Sequence, residues 1–228
     1  WSGFSLDEER GIVYAPTGSA SFDFYGGDRI GDNLFANCLL ALDANTGERL
    51  WHFQSVHHDL WDRDLPAPPT LVTVEKEGKK VDAVAQITKS ALIYLFDRET
   101  GEPLFPIEER PVPASDLVGE EASKTQPIPT KPAAFSRNRV TENDLTQRTP
   151  EANAYAKIAL ENLREGEYFV PPSEQGSIIF PGLDGGGEWG GGAYDPESGN
   201  YIINASEMPW ILKMNPYEAK QVDSQIGQ

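Results

Sequence analysis

The residue types best suited to chemistry crowd into one short run, His57-His58-Asp59-Leu60-Trp61-Asp62-Arg63-Asp64-Leu65-Pro66, directly after the strand-like segment Leu50-Trp51-His52-Phe53. All three histidines of the chain fall between positions 52 and 58. Carboxylates and imidazoles beside an indole at a strand exit have the ingredients of proton transfer, because apolar neighbours and like charges raise or couple their pKa values. The same run also reads as a turn with incidental charges, and spacing alone leaves both open. Zinc is a poor fit: the metalloprotease helix motif is absent, and adjacent histidines in a strand point to opposite faces. A second candidate, Gly182 to Gly192, contains G-x-G-x-x-G through Gly185, Gly187 and Gly190. Ala193-Tyr194-Asp195-Pro196 follows it and no helix does, so a dinucleotide site is rejected. The glycines read instead as close backbone approach at a strand or ring centre.

The elements that must position these segments come from a repeat. An Asp, three residues and a Gly precede a short β-branched or aromatic run at Asp7–Gly11, Asp43–Gly47, Asp97–Gly101 and Asp195–Gly199. The Asp side chain bonds the backbone ahead of it, and the Gly takes the φ > 0 position that closes a hairpin. Strand-length apolar runs accompany the turns: Cys38 to Leu42, Val81 to Gln86, Ala91 to Phe96 and Ser177 to Phe180. Many short strands with repeated turn chemistry argue an all-β fold, and the blade-like repeat selects a propeller over a sandwich. About three four-stranded antiparallel blades are expected, at 1–56, 67–107 and 176–217. Closure takes ~4–8 blades, so this is a partial β-propeller.

Residues 108–175, rich in Pro, Glu, Ser and Thr, form a long insertion in that ring with too few apolar residues for a core of their own. One short helix is expected in it, from Thr149 as N-cap through Pro150 in the first turn to Arg164, with Gly166 just beyond. With 36 Asp and Glu against 19 Lys and Arg the formal charge is −17, which repels phosphate backbones and anionic membranes, so nucleic acid is not a partner. Cys38 is the only cysteine, so no intrachain disulfide forms. No apolar run approaches the ~20 residues that span a bilayer, so membrane association is expected only through parts outside this chain. The abrupt start at Trp1, without Met or a signal pattern, reads as a piece of something longer.

The motifs themselves go further. Ala41 to Trp51 resembles the tryptophan-docking motif of quinoprotein propellers, in which a Trp of each blade stacks on the next. His57 to Pro66, Phe105 to Pro113 and Pro171 to Gly176 resemble segments of pyrroloquinoline-quinone (PQQ) dehydrogenases of the membrane-bound glucose dehydrogenase type. The likeness runs to about Leu212 and implies an eight-bladed ring of which this chain is a segment. It implies that the parent oxidises a glucose-like sugar or an alcohol, with Asp62 as general base, hydride passing to PQQ, and calcium as Lewis acid. Magnesium or a lanthanide would serve the same role.

By the same resemblance Trp1 is the indole beneath the cofactor, with a docking or core Trp as its alternative; Lys89 reaches the quinone oxygens, unless it is a solvated lysine; and Trp189 lies near the cofactor or packs a blade. Asp64 joins Asp62 as a metal-side carboxylate, and His57, His58 and Trp61 belong to the substrate vicinity. Two departures stand out: Ser19 replaces the metal-binding Asn of alcohol-oxidising relatives, and Leu183-Asp184 replaces an Asn. Electrons would leave for ubiquinone or a cytochrome c in the periplasm. An isolated copy of the chain, holding less than half of a ring, is expected to be inactive. The competing class is a non-catalytic propeller scaffold for protein interaction, which would need the hairpins and docking Trp but not Asp62, Lys89 and the His57-His58 pair together.

Overall fold

The computed structural model describes residues 2–216, and all but one of its long elements are strands. The first sheet runs β1 (Ser5–Asp7), β2 (Ile12–Pro16), β3 (Cys38–Asp43) and β4 (Arg49–Gln54) in sequential antiparallel order, a complete four-stranded blade. The second holds β5 (Thr70–Lys76), β6 (Lys79–Ile87) and β7 (Ile93–Asp97). Its fourth strand is reduced to the Phe96–Pro103 bridge and a Leu104 N–H bond to the Leu95 carbonyl at 2.8 Å. Pro103 lacks the donor that would continue the ladder.

The repeated turns form as their chemistry dictates. Asp43 Oδ1 accepts from the backbone N–H of Asn45 and Thr46, and Asp97 Oδ1 does the same for Glu99 and Thr100. Gly11, Gly47, Gly101 and Gly199 all adopt φ between 63° and 75°. The hydrogen bonds to Asp43 hold its carboxyl below the usual carboxylate range, and those from the Ser198 hydroxyl and the Glu197 N–H do the same for Asp195.

The two sheets pack through Tyr14, Leu39, Ala41 and Trp51 of the first against Val84, Tyr94 and Phe96 of the second. Trp51 lies 5.9 Å from Tyr14 and 5.7 Å from Phe96, centroid to centroid, and its indole donates to the Arg98 carbonyl at 3.1 Å. Gly101 lies so close beneath it that a Cβ there would sit 2.6 Å from the indole Cδ2. Beside this contact Asp7, 3% exposed, accepts from both Arg10 and Arg98 at 3.1 Å, tying β1 to the turn after β7.

The long insertion is more ordered than its composition suggests. β8 (Ile107–Pro111) pairs with β9 (Thr125–Pro129), a hairpin hidden in the sequence by its four prolines. Proline cannot donate to a ladder but its carbonyl still accepts, and Tyr94 Oη donates to the Pro127 carbonyl at 2.8 Å while Ile128 joins the core. The helix α1 (Pro150–Glu161) starts where expected, with Thr149 Oγ1 accepting from Ala152 N–H. It ends three residues before Arg164, capped at Asn162, and none of its side chains is buried.

The third region departs from a four-stranded blade. β10 (Ser177–Ile179) pairs with β13 (Trp210–Leu212), while β11 (Gly192–Asp195) and β12 (Asn200–Ile203) form a separate hairpin. Pro181 and the glycines between β10 and β11 supply no strand-forming side chains, and β11 leans on the second sheet instead, with Tyr194 Oη donating to the Thr73 carbonyl at 2.6 Å. Among the described residues no helix is long and apolar enough to cross a membrane.

Candidate functional site

The connection from β4 to β5 carries the His57–Pro66 run and is built around Asp59, which is 1% exposed. Its carboxylate accepts from the N–H groups of Trp61 at 2.8 Å and Arg63 at 2.6 Å and from the Asn37 amide at 2.7 Å. Two bonds that bracket one residue force a tight turn. Asp62 lies between them with φ 57°, a left-handed conformation that non-glycine residues seldom adopt. Burial raises the Asp59 pKa, opposed by these three donors and by the charge of Arg63. Arg63, also 1% exposed, donates to the carbonyls of Pro181 at 2.5 Å and Gly182 at 2.9 Å. Burial lowers its pKa to about 10, which leaves it cationic at neutral pH.

The turn thus expels the Asp62 side chain from the core and directs it to Lys89. Lys89 Nζ donates to Asp62 Oδ2 at 3.0 Å and to Asp64 Oδ2 at 3.3 Å. Ser19 completes the group: its hydroxyl, 3.1 Å from Asp62 Oδ1 and 2.9 Å from Asp64 Oδ1, shares its one proton between them, and its N–H donates to Asp64 Oδ1 at 2.5 Å. Gly18 is needed beside it, since a Cβ there would lie 2.8 Å from Asp64 Oδ1.

Lys89 itself is braced by the glycine-rich stretch. Gly186 N–H donates to the Lys89 carbonyl at 2.7 Å, and Cβ atoms at Gly185 or Gly186 would come within 2.8 Å of Lys89 Cα or 2.5 Å of Ala91 Cβ. Close backbone approach is therefore what these glycines provide. Glu188, just beyond, has its pKa raised by burial, with Lys89 opposing and Asp184 and Asp62 adding to the rise.

The environments of the two carboxylates drive them apart. Burial raises the Asp62 pKa and the negative charge of Asp64 adds to it, against the charge and hydrogen bond of Lys89. Asp64 is as enclosed, but the Ser19 backbone and the Lys89 charge outweigh burial and lower its pKa. Lys89 is raised, its two carboxylate partners outweighing burial. One carboxylate is poised to take a proton and its neighbour is held ionised, the pattern by which paired acids divide acid–base work.

Asp62, Lys89 and Asp64 thus meet in one cluster. Trp1 lies outside the described residues. Trp189 is 74% exposed. The left-handed turns at His58 and Asp62 swing successive side chains in different directions, so His57, His58 and Trp61 face partners outside this cluster. Trp61 is fully buried, its indole donating to the Val170 carbonyl at 2.7 Å and meeting Phe169 edge-on at 5.1 Å. His57 faces Gln54 and Glu109, and His58 is buried against Glu120.

Asp59, Arg63, Asn37 and Glu120 were not legible as residues that frame the site, and Ser19 was marked only as a departure from a metal-binding Asn. Of the four, Asp59 left a trace in the sequence, an Asp two residues before Trp61 and four before Arg63, the spacing of a side chain that caps a turn.

The donor set of Asp62, Asp64 and Ser19 is oxygen-only, which suits a hard divalent cation. Among the described residues no three His, Cys, Asp or Glu side chains converge to hold one, so these supply only part of a coordination shell. The enclosed Lys89 ammonium suits a carboxylate-bearing or quinone-oxygen ligand.

Comparison with known proteins agrees with the architecture. The PQQ family model, described as the β-propeller domain of glucose/ethanol/alcohol dehydrogenases, matches residues 1–228. The quinoprotein glucose dehydrogenase of Gluconobacter oxydans is 38% identical over 95% of the chain and 27% of its own length. Quinoprotein glucose dehydrogenase A of Acinetobacter calcoaceticus is 33% identical over 100% of the chain and 29% of its own length. The solved structure of a quinohemoprotein alcohol dehydrogenase from Pseudomonas putida superimposes with a TM-score of 0.61 at 23% identity, covering 96% of this chain and 27% of that one. The chain therefore spans less than a third of the length of these relatives, and its sheets are part of a propeller. It belongs to the PQQ family of glucose/ethanol/alcohol dehydrogenase β-propellers.

Proposed function

We propose that the parent protein is a PQQ-dependent oxidoreductase that oxidises a hydroxyl of a glucose-like sugar or an alcohol, with Asp62 as general base. The observation that carries this is the cluster of Asp62, Lys89 and Asp64, in which burial raises one carboxylate while its neighbour is held ionised. A propeller kept only as a scaffold has no use for a strained, half-buried acid beside an enclosed lysine.

When bound, the quinone supplies the acceptor for the hydride leaving the hydroxyl-bearing carbon, and a divalent cation, calcium in this reading, polarises the accepting carbonyl. Asp62 takes the hydroxyl proton, and its raised pKa makes it a better base than an ordinary surface carboxylate. Asp64 and the Ser19 hydroxyl are the further oxygen donors that would face the cation. Lys89 balances the paired carboxylates and offers a mobile point charge to the quinone oxygens. The same reading assigns turnover to the periplasm, with ubiquinone or a cytochrome c as the electron acceptor.

The test is to load the parent with PQQ and calcium and assay sugars and alcohols with an artificial electron acceptor, in the wild type and in Asp62→Asn. Asn tolerates the left-handed φ, so the backbone is retained. The expected result is turnover that falls by about 10²–10⁴ in the variant with the quinone still bound. A parent that takes up no quinone, or an Asp62→Asn variant at the wild-type rate, contradicts the assignment.

A further inference from the structure

The connection between β2 and β3 is closed at its base by Asn37 N–H bonding the Gly18 carbonyl at 2.9 Å and Thr17 N–H bonding that of Cys38 at 2.8 Å. One arm presents Ser19 to Asp62 and Asp64; the other presents the Asn37 amide to Asp59 and, at 2.9 Å, to the Arg63 carbonyl. Between the arms, apolar packing does little, since Phe22 is 75% and Ile30 96% exposed. Polar contacts hold the middle instead, and they converge on His58 and Glu120, whose side chains are 3% and 0% exposed.

His58 Nδ1 meets the Gly31 carbonyl at 2.8 Å, and its Nε2 meets Glu120 Oε1 at 2.8 Å. The other oxygen of Glu120 accepts from Gly26 N–H. Only glycine fits at 26, since a Cβ there would lie 2.5 Å from His58 Nε2. Tyr25 Oη donates to the Val118 carbonyl at 2.9 Å, two residues before Glu120. A carbonyl can only accept, and an ionised carboxylate can only accept. The imidazole between them makes both bonds only when the pair holds one proton more than a neutral ring beside a carboxylate.

We propose that His58 and Glu120 are positioning residues: a proton shared between them latches residues 20–36 to the long insertion and so fixes the arm that presents Ser19 to Asp62 and Asp64. The insertion is then part of the frame of the site. The effect on turnover rests on the proposed role of Asp62; the latch does not. The charged groups around His58 are Glu120 from the insertion and Arg29, which crosses the loop to the Asp59 carbonyl at 2.7 Å. The Asp59 carboxylate is turned to Asn37, Trp61 and Arg63, and the His57 ring to Gln54 and Glu109. Glu120→Gln keeps the contacts, because its amide can donate to Nε2 while its oxygen still accepts from Gly26.

Amide hydrogen exchange over residues 20–36 of the full chain, corrected for intrinsic rates, tests this in the wild type, Glu120→Gln and Glu120→Ala, with β3 and β6 as folding controls. Glu120→Gln is expected to keep the wild-type protection, whereas Glu120→Ala should lose protection by roughly tenfold or more, the ratio carried by a lost hydrogen bond to a charged group. Unchanged protection in Glu120→Ala, or protection lost as fully in Glu120→Gln, overturns the latch. In the loaded parent, Glu120→Ala should lower kcat by about a hundredfold through misplacement of the site. An unchanged kcat overturns the positioning role, whereas an active Asp62→Asn variant overturns the base and leaves the exchange result to decide the latch.

Discussion

Left-handed backbone is occupied differently in two regions of this molecule. At the Asp-to-Gly hairpin turns of the blades it falls to glycine, at Gly11, Gly47, Gly101 and Gly199, whereas the β5–β6 turn shares it between Glu77 and Gly78. Around the candidate site it falls to residues with side chains: Asn37 at 51°, His58 at 46°, Asp62 at 57° and Ala91 at 60°. Glycine takes that conformation without steric cost. A side-chained residue there costs about 1–3 kcal/mol and persists only where its surroundings over-determine it. The blades are thus built from locally contented segments that repeat, whereas the site gathers strained residues from three connections around the loop held by buried Asp59 and Arg63. Strain concentrated where the proposed chemistry lies is what a preorganised site requires.

Three substitutions break or sharpen this contrast. Trp51→Ala removes the indole that joins the first two sheets and should cost about 4 kcal/mol in a denaturant titration; kcat per folded, cofactor-loaded molecule should stay at the wild-type value, because Trp51 touches no member of the site. Asp59→Ala leaves Arg63 buried without its counter-charge and frees the turn around Asp62. It should cost about 3 kcal/mol of stability and, unlike Trp51→Ala, lower kcat by about a hundredfold. If both variants lose only stability, the site loop is no different in kind from the blade interface. Gly47→Ala, at an exposed turn with open space around it, should cost only about 1 kcal/mol from its left-handed φ and leave turnover untouched.

The same contrast explains what the sequence disclosed. Hairpin turns rest on contacts two to four residues apart, such as Asp43 with Asn45 and Thr46, and so leave a pattern that repeats. The N-terminus of α1 was legible for the same reason, with Thr149 capping Ala152. The site loop rests on distant partners: Arg63 reaches Pro181 and Gly182, His58 reaches Glu120, and Ser19 reaches Asp62 and Asp64. No local pattern encodes such pairs. Family likeness pointed to Asp62, Asp64 and Lys89, which the fold brings together, while the side chains of His57, His58 and Trp61 turn to other partners because adjacency along a twisted loop does not mean adjacency in space. The β8–β9 hairpin and the divided third region escaped for a related reason, since their prolines and glycines suppress strand signals that tertiary contacts restore.

The central claim is that Asp62 works as a base whose proton affinity is set by burial against the opposing charge of Lys89. The most direct test is the pH dependence of kcat/KM in the PQQ- and calcium-loaded parent, for the wild type and Lys89→Met. A base must be ionised, so activity falls along an acid limb as pH drops through its pKa. Removing the cation that favours the ionised form should move that limb to higher pH. A limb that stays in place or moves to lower pH in Lys89→Met contradicts the account.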